Sequence, residues 1–215
     1  MTYQIGIIGE SIGNGHPFSW TAIFNGYFPD VMKLNCDFPV IPNYLAQQDW
    51  STDHIPNYKV THIWTQDFNR TKLIADTCMS VRPCPKLSEL CQSVDAYIIA
   101  RDDYILNKNL LIYCSEFPKP ILFDKQIAAS SAESNELMKI CTNNNMPFFS
   151  GSAIAFDQDL CIDQMLNDPN VVSITCLGPK SWFNYSVHLI DPIDTAIAKL
   201  TNLLCLSSTK IVKPD

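Results

Sequence analysis

The sequence has no long apolar run, no cluster of basic residues and no paired motif of metal ligands. No stretch of its 215 residues approaches the ~18 apolar residues of a membrane span, so we expect no membrane partner. The net charge is -7 and Lys and Arg form no run. Because phosphate binding needs clustered positive charge, we also expect no nucleic-acid partner.

Cysteine is frequent, but its spacing matches no common disulfide or metal-binding motif. The nine Cys are scattered without a CxxC spacing, and the four His show neither HxH nor HExxH. This usage favours reduced thiols packed as small hydrophobic groups, a cytoplasmic protein and no metal site. The N-terminus has no basic leader before an apolar core, and "YQIGIIG" is typical of a first strand and not of a signal peptide.

What the sequence does contain is an alternation of short β-rich runs with helical patterns, and 47% hydrophobic residues to build a core. The predicted strands are "YQIGIIG", "YKVTHIW", "VDAYIIA", "PILF" and "PFFSGSAI". Segments with apolar residues at helical spacing separate them. This order predicts a parallel sheet with helices on both faces, the Rossmann-like doubly wound α/β class.

The pattern changes after about residue 150. A strand at 171–178, an apolar helix at 187–206 and a last strand in "STKIVKPD" predict a small, reduced α+β C-terminal domain. We therefore assign residues 1–125 to a nucleotide-binding domain and 126–215 to a short substrate domain. An apolar helix with little sheet to cover it is typical of self-association, which makes a homo-oligomer an expectation.

The stretch at 27–57 lies between the first helix and the second strand, where a connection of two to six residues is usual. It is rich in Pro and aromatic residues, as in "FPVIPNYLAQQDW". Two interpretations stay open: an ordered excursion near the site, or a surface loop without a role in it.

The first predicted strand ends in the glycine turn "GESIGNG", residues 9–15. Gly9, Gly13 and Gly15 follow G-x-x-x-G-x-G spacing and not the G-x-G-x-x-G of the dinucleotide fingerprint. Glycine permits positive φ and close approach of a ligand to the backbone, and the next helix offers N–H groups to an anion. The turn is then a plain tight turn, a phosphate cradle or a cradle that no longer holds a ligand.

A second check for a dinucleotide is an acidic residue at the end of the second strand, which holds the adenosine ribose. Here Thr65 stands at that place, and Asp67 follows where a helix N-cap is also expected. Arg70 is the nearest candidate for a 2′-phosphate, although a solvated helix residue is the simpler interpretation. The choice between NAD and NADP stays open.

Five stretches in order, "IGIIG…GNGH", "VTHIWTQD", "VDAYIIA", "KPILFDKQIA" and "WFNYSVHLIDP", resemble the Gfo/Idh/MocA oxidoreductases over roughly residues 3–205. The resemblance is to a compact branch associated with sugar and surface-polysaccharide biosynthesis. It implies a two-domain enzyme that uses NAD or NADP to oxidise or reduce a sugar or sugar derivative.

By this resemblance Lys125 matches the active-site Lys and Asp124 the acidic residue before it, with Gln126 in place of the family's Pro. His188 matches the catalytic His, the proton acceptor from a sugar hydroxyl. Asn184 stands where the family commonly has Asp. At i and i+4 on a helix, Asn184 and His188 are expected to share a face, with Tyr185 beside them as a further substrate contact.

The same resemblance assigns cofactor binding to the glycines and to a polar set beside them. That set is Asn14, His16, Thr65, Asp67 and Asp124. The sequence departs from the family at "ARDD", residues 100–103, where the family usually has an uncharged turn. There Arg101 either binds a substrate phosphate or carboxylate, or forms a surface pair with an Asp.

Three functions follow from the sequence. The first is an NAD(P)-dependent sugar oxidoreductase. The second is a non-catalytic relative that binds a nucleotide or sugar nucleotide as a regulator or assembly partner. The third is a lyase or hydrolase on the same scaffold.

Overall fold

The computed structural model describes residues 1–53, 55–157, 159–160, 162–179 and 182–201. The chain forms two compact units, Met1–Ser150 and Gly151–Asp215. Each unit is described by itself below.

The first unit is a six-stranded, all-parallel sheet in the order β3-β2-β1-β4-β5-β6. Its strands are β1 (Tyr3–Ile8), β2 (Tyr58–Trp64), β3 (Arg82–Pro83), β4 (Ala96–Ile99), β5 (Ile121–Phe123) and β6 (Phe148–Ser150). This order is that of the dinucleotide-binding doubly wound fold, with the reversal of direction between β1 and β4. The predicted fold class is confirmed.

Seven helices of the first unit cover the two faces of this sheet. They are α1 (His16–Asn25), α2 (Pro29–Asn35), α3 (Val40–Leu45), α4 (Phe68–Thr77), α5 (Leu87–Ser93), α6 (Asn107–Cys114) and α7 (Ser131–Asn143). Residues of α1 to α4 pack with Ile7 in one core cluster, and residues of α5 to α7 pack with Ile8 in the other. The adjacent Ile7 and Ile8 are both fully buried, as expected of a strand covered on both faces.

The sheet continues past the predicted domain boundary. Residues 126–150 contain α7 and β6, and β6 pairs with β5 from Ile121↔Phe148 to Phe123↔Ser150. Because a parallel strand needs a crossover helix before it can pair, this segment belongs to the first unit. The compact unit therefore ends at Ser150 and not at residue 125.

The excursion at 27–57 is ordered where it is described. It forms α2 and α3, and its buried residues Met32, Ile41 and Leu45 join the core cluster beneath α1. Ile41 and Phe38 also lie against Gly15 of the glycine turn, which favours the interpretation as an ordered excursion near the site.

The second unit contains a 3₁₀ helix at Ala153–Phe156 and the helices α8 (Ile162–Asn167), α9 (Trp182–Tyr185) and α10 (Val187–Thr201). The predicted long apolar helix is confirmed as α10 as far as Thr201, and its remainder lies outside the described residues. The strand predicted at 171–178 is wrong, because this segment has no regular secondary structure. The last predicted strand, in "STKIVKPD", also lies outside the described residues.

Six described cysteines are buried, as expected, whereas Cys176 is exposed. Burial raises the pKa of the Cys78 thiol to about 12. Among the described residues no helix is long and apolar enough to span a membrane, and no group of three or more His, Cys, Asp or Glu side chains is placed to hold a metal ion.

Candidate functional site

The polar residues predicted from the sequence converge at one edge of the sheet in the first unit. Gly9 follows β1, Arg101 follows β4 and Asp124 follows β5 directly or within two residues. The carboxyl ends of parallel strands meet at the same edge, and the reversal between β1 and β4 opens a crevice there for a ligand. The fold therefore brings together residues from three separate parts of the chain.

The three glycines of the turn have three different reasons to be glycine. Gly9 and Gly13 both have φ of +82°, a backbone conformation that favours glycine. A Cβ on Gly9 would lie 2.9 Å from Arg101 Cδ, and a Cβ on Gly15 would lie 2.4 Å from Ile41 Cδ1. A Cβ on Gly13 would meet no heavy atom within 4 Å. Gly13 alone of these three borders open space, so it is the position where a ligand has room to approach the backbone.

A buried hydrogen-bond network links the glycine turn to β5. The Asp124 carboxylate, 3% exposed, accepts from Asn14 Nδ2 at 2.9 Å and from His16 Nδ1 in a short contact. The Asn14 Oδ1 atom accepts from the His16 backbone N–H at 2.8 Å. The contact with Asp124 fixes the orientation of the His16 ring through its Nδ1 atom.

The His16 ring is also fixed by stacking. It lies on Trp20, one turn further along α1, with ring centroids 4.5 Å apart and planes 13° from parallel. The His16 side chain keeps 32% exposure although Asp124 is almost fully buried. The predicted residues Asn14, His16 and Asp124 thus bind one another and form one preorganised cluster.

Lys125 lies beside this cluster with its ammonium group between carboxylates. Its Nζ is 3.4 Å from Asp102 Oδ2 and 4.0 Å from Asp124 Oδ1, and the residue is 9% exposed. The second Asp102 oxygen accepts from Ser11 Oγ at 2.6 Å. The Lys125–Gln126 peptide bond is cis. Lys125 is therefore a buried, ion-paired lysine at the carboxyl edge and not a free surface side chain.

Arg101 holds the turn in place. It is 5% exposed, and its Nε and Nη2 donate to the two oxygens of Asp103 at 3.0 and 2.5 Å. Its Nη1 donates to the Glu10 carbonyl. The Arg–Asp pair foreseen as one alternative is present, with the Arg101 side chain buried and the Asp103 side chain 31% exposed.

Thr65 and Asp67 organise the start of α4. The Thr65 hydroxyl, on a residue 3% exposed, donates to the Asp67 carbonyl at 2.8 Å and contacts the Thr71 hydroxyl at 2.9 Å. The Asp67 Oδ1 atom accepts from the Asn69 N–H at 2.8 Å and caps the helix, as the sequence indicated.

Sequence reasoning missed Glu10 and misjudged Arg70. The Arg70 guanidinium donates to both oxygens of Glu10 at 2.8 to 3.0 Å and to Asp37 at 2.7 Å, and its carbon lies 4.9 Å from the Phe18 ring centroid. The pKa of Arg70 is raised, chiefly by the hydrogen bonds to Glu10. Its side chain is 21% exposed, so the interpretation as a solvated helix residue is wrong. The position of Glu10 directly after Gly9 was the available signal.

The second unit holds the remaining predicted residues. His188 Nδ1 lies 2.7 Å from the hydroxyl of Ser152, which is fully buried, and the Ser152 N–H donates to Asp191 at 2.7 Å. The Tyr185 and His188 ring centroids are 5.6 Å apart. Sequence reasoning gave Ser152 and Asp191 no role.

Asn184 and His188 do not share one helix, which corrects the expectation from their spacing. Asn184 lies in α9 and His188 in α10. The break falls at Ser186, whose carbonyl accepts from the N–H groups of Leu189 and Ile190 and so begins a new helix.

No protein-family model and no curated protein matches the chain by sequence. Among solved structures, the fold is similar to the 3-ketoreductase KijD10 from Actinomadura kijaniata, solved in complex with TDP-benzene and NADP, with a TM-score of 0.52 and 14% identity over 78% of this chain and 44% of that chain. It is also similar to the putative dehydrogenase from Bordetella bronchiseptica RB50, with a TM-score of 0.52 and 14% identity over 77% of this chain and 35% of that chain.

These comparisons establish the fold. The chain spans less than half the length of either structure. At 14% identity the similarity extends to the fold alone.

Proposed function

We propose that the chain is an NAD(P)-dependent oxidoreductase that transfers a hydride to or from a hydroxyl or keto carbon of a sugar or sugar derivative, in a compact branch of the Gfo/Idh/MocA family. One observation carries the proposal. At the edge where doubly wound sheets bind their ligands, the open position at Gly13 lies directly before Asn14, and Asn14 and His16 bind Asp124 at the end of β5. Lys125 follows Asp124 in the chain.

The residues present fit a dinucleotide. A backbone with positive φ and no neighbour within 4 Å of a Gly13 Cβ leaves room for a bulky anion. The first N–H groups of α1 are bonded within the turn, because the His16 N–H donates to Asn14 Oδ1 and those of Phe18 and Ser19 donate to the Gly15 carbonyl. Gly9, Gly13 and Gly15 shape the turn that would hold the pyrophosphate, with Asn14 and His16 as its polar lining. When bound, NAD(P) supplies or accepts the hydride.

Lys125 acts on the reacting oxygen in this proposal. A lysine ammonium beside a substrate oxygen donates a hydrogen bond and stabilises the negative charge that develops there. Asp102 and Asp124 fix the direction of the Lys125 side chain, since its Nζ lies within 4.0 Å of both carboxylates. Preorganisation of this kind is what electrostatic catalysis requires.

His188 is the proposed general acid and base. Its support is the resemblance in sequence and the contact of its Nδ1 with Ser152, which fixes the orientation of the ring. Asn184, Tyr185 and Arg101 are the proposed substrate-positioning residues. For Arg101 this role is indirect, because its guanidinium already binds Asp103 and the Glu10 carbonyl.

A second candidate, the non-catalytic nucleotide-binding relative, is favoured by one observation. The side chains of Asn14, His16 and Asp124 form hydrogen bonds with one another, and the Thr65 hydroxyl donates to the carbonyl of Asp67, the N-cap of α4. Such a site binds a ligand through a fixed surface without the need to move a proton. Cytoplasmic location and self-association stay predictions.

Transfer of deuteride from NADH or NADPH labelled at C4 to keto-sugar nucleotides tests the enzyme against the binding relative. We expect labelled product from the wild type, and at least a hundredfold less from Lys125→Ala and from His188→Ala, in line with the usual contribution of an acid–base group. Retained cofactor binding in both variants with no label in any sample would contradict the enzyme. Product without a net change in cofactor redox state would indicate a lyase or hydrolase.

A further inference from the structure

The charged side chains between the glycine turn and the end of β2 carry a net negative charge. One guanidinium, Arg70, faces two carboxylates, Glu10 and Asp37. Asp67, the N-cap of α4, adds a third carboxylate at the same end of β2. Three carboxylates therefore stand against the Arg70 guanidinium, while the neighbouring Arg101, whose Nη1 donates to the Glu10 carbonyl, is paired with a fourth carboxylate, Asp103.

Glu10 is held rigidly in this arrangement. Its two oxygens bind Arg70 in a fork at 2.8 to 3.0 Å, and its side chain is 16% exposed. The Gln66 side chain accepts from the Glu10 N–H at 3.1 Å and donates to its carbonyl at 2.8 Å. Backbone and carboxylate are thus both fixed, with Gln66 coming from the residues directly after β2.

This location has a known meaning in doubly wound sheets. The residues that follow the second strand face the adenosine ribose of a dinucleotide, where a carboxylate accepts from the 2′-hydroxyl and a free arginine accommodates a 2′-phosphate. In this chain the arginine is already neutralised by two carboxylates, whereas Glu10 supplies the carboxylate from the first turn.

We infer that Glu10, Asp37 and Arg70 make the site select NAD(H) over NADP(H). The inference rests on the proposed function and deepens it. A 2′-phosphate would enter a region of excess negative charge and would have to displace Asp37 or Glu10 from Arg70. A 2′-hydroxyl meets no such cost and can donate to Glu10. The preference is thus opposite to that of a free arginine at this place.

Calorimetric titration of NADH and NADPH into the full chain tests the inference without any turnover. We expect NADH to bind at least about tenfold more tightly than NADPH, the scale of one unfavourable charge interaction near a surface. Glu10→Gln, which keeps the shape of the side chain, and Asp37→Asn, at a position 67% exposed, should each narrow the ratio severalfold. Asp76→Asn, exposed on α4 away from these contacts, should leave the ratio unchanged.

Tighter or equal binding of NADPH by the wild type would overturn the inference and leave the proposed function standing. The same holds if NADH is preferred but neither Glu10→Gln nor Asp37→Asn changes the ratio while circular dichroism shows both variants folded. Absence of binding by either cofactor would overturn the proposed function together with the inference. Adenosine 5′-monophosphate against adenosine 2′,5′-bisphosphate repeats the comparison at the ribose alone, with the same expected order.

Discussion

The two units of the chain differ in how many buried residues their described parts contain. In Met1–Ser150, neighbouring residues of the central strands, such as Ile7 and Ile8, are fully buried on opposite faces of the sheet. In the described part of Gly151–Asp215, the buried residues are Ser152, Pro192 and Ala196, while Val172 is 96% exposed. The first unit has two packed core clusters, whereas the described part of the second contains few buried residues.

The same contrast divides the candidate site. The cluster of Asn14, His16 and Asp124 with Lys125 belongs wholly to the first unit, where a packed sheet fixes each residue. His188 belongs to the second unit and is fixed there by Ser152.

The largest expected effect comes from core substitutions compared between the units. Ile63→Ala removes a fully buried side chain from β2 and should lower the free energy of unfolding by about 2–5 kcal/mol. Val172→Ala in the second unit should change it by less than about 0.5 kcal/mol, because the side chain is exposed. Urea unfolding followed by tryptophan fluorescence measures both. Equal losses would remove the contrast between the units.

Next in size are two alanine substitutions within one turn. Gly15→Ala should cost about 1–3 kcal/mol of stability because its Cβ would overlap Ile41 and Phe38. Gly13→Ala should cost about 1 kcal/mol through its positive φ alone. Thermal unfolding ranks the two variants. If Gly13→Ala is the more damaging, its surroundings are packed and the open position does not exist.

Polar contacts in the two units offer a third comparison. Asp124→Asn removes the negative charge and one of the two acceptor oxygens, which weakens the buried contacts with Asn14 and His16 and should cost about 1–3 kcal/mol. Ser152→Ala in the second unit should cost about 1 kcal/mol, since it loses the contact with His188 and the cap of the 3₁₀ helix. Ring signals of His16 and His188 in NMR spectra report each loss separately, and a shift of both signals in either variant would contradict this division.

The smallest expected effect is a pH dependence of the first unit. Burial, followed by the nearby Arg82, lowers the pKa of His62. The folded state therefore favours the neutral ring, so stability is full above the unfolded pKa of about 6.5 and falls as the pH drops through it. His62→Gln should reduce this acid-side slope in unfolding experiments between pH 7 and pH 5. A slope that is unchanged in the variant would assign it to other groups.

Much of the fold was predictable because its signals are local. Apolar runs predicted β1, β2, β4, β5 and β6, and their alternation with helices predicted the parallel sheet. By contrast β3 has two residues, one of them Pro83, and carries no sequence signal. The strand predicted at 171–178 failed because an apolar β-rich run becomes a strand only where a neighbouring strand offers hydrogen bonds. At α7 the N-cap is Ser130 and not the adjacent Ser131, a choice that only the backbone geometry decides.

The sequence indicated where the polar residues of the site lie in the fold, but not which of them bind one another. The glycine turn pointed to Asn14 and His16, and the family resemblance to Asp124 and Lys125, and the structure places all four at one edge of the sheet. Their binding to one another depends on side chains 110 residues apart in sequence, such as Asn14 and Asp124, which no local pattern encodes. The ion pairs of Arg70 with Glu10 and Asp37 were missed for the same reason.

The central claim is that the turn at Gly13 is a working dinucleotide cradle, and calorimetric titration of NAD(H) and NADP(H) into the wild type and Gly13→Val tests it most directly. The account predicts binding in the micromolar range that is lost in the folded variant, since the valine would fill the open position. Absence of binding by the folded wild type, or equal binding by both proteins, would contradict it.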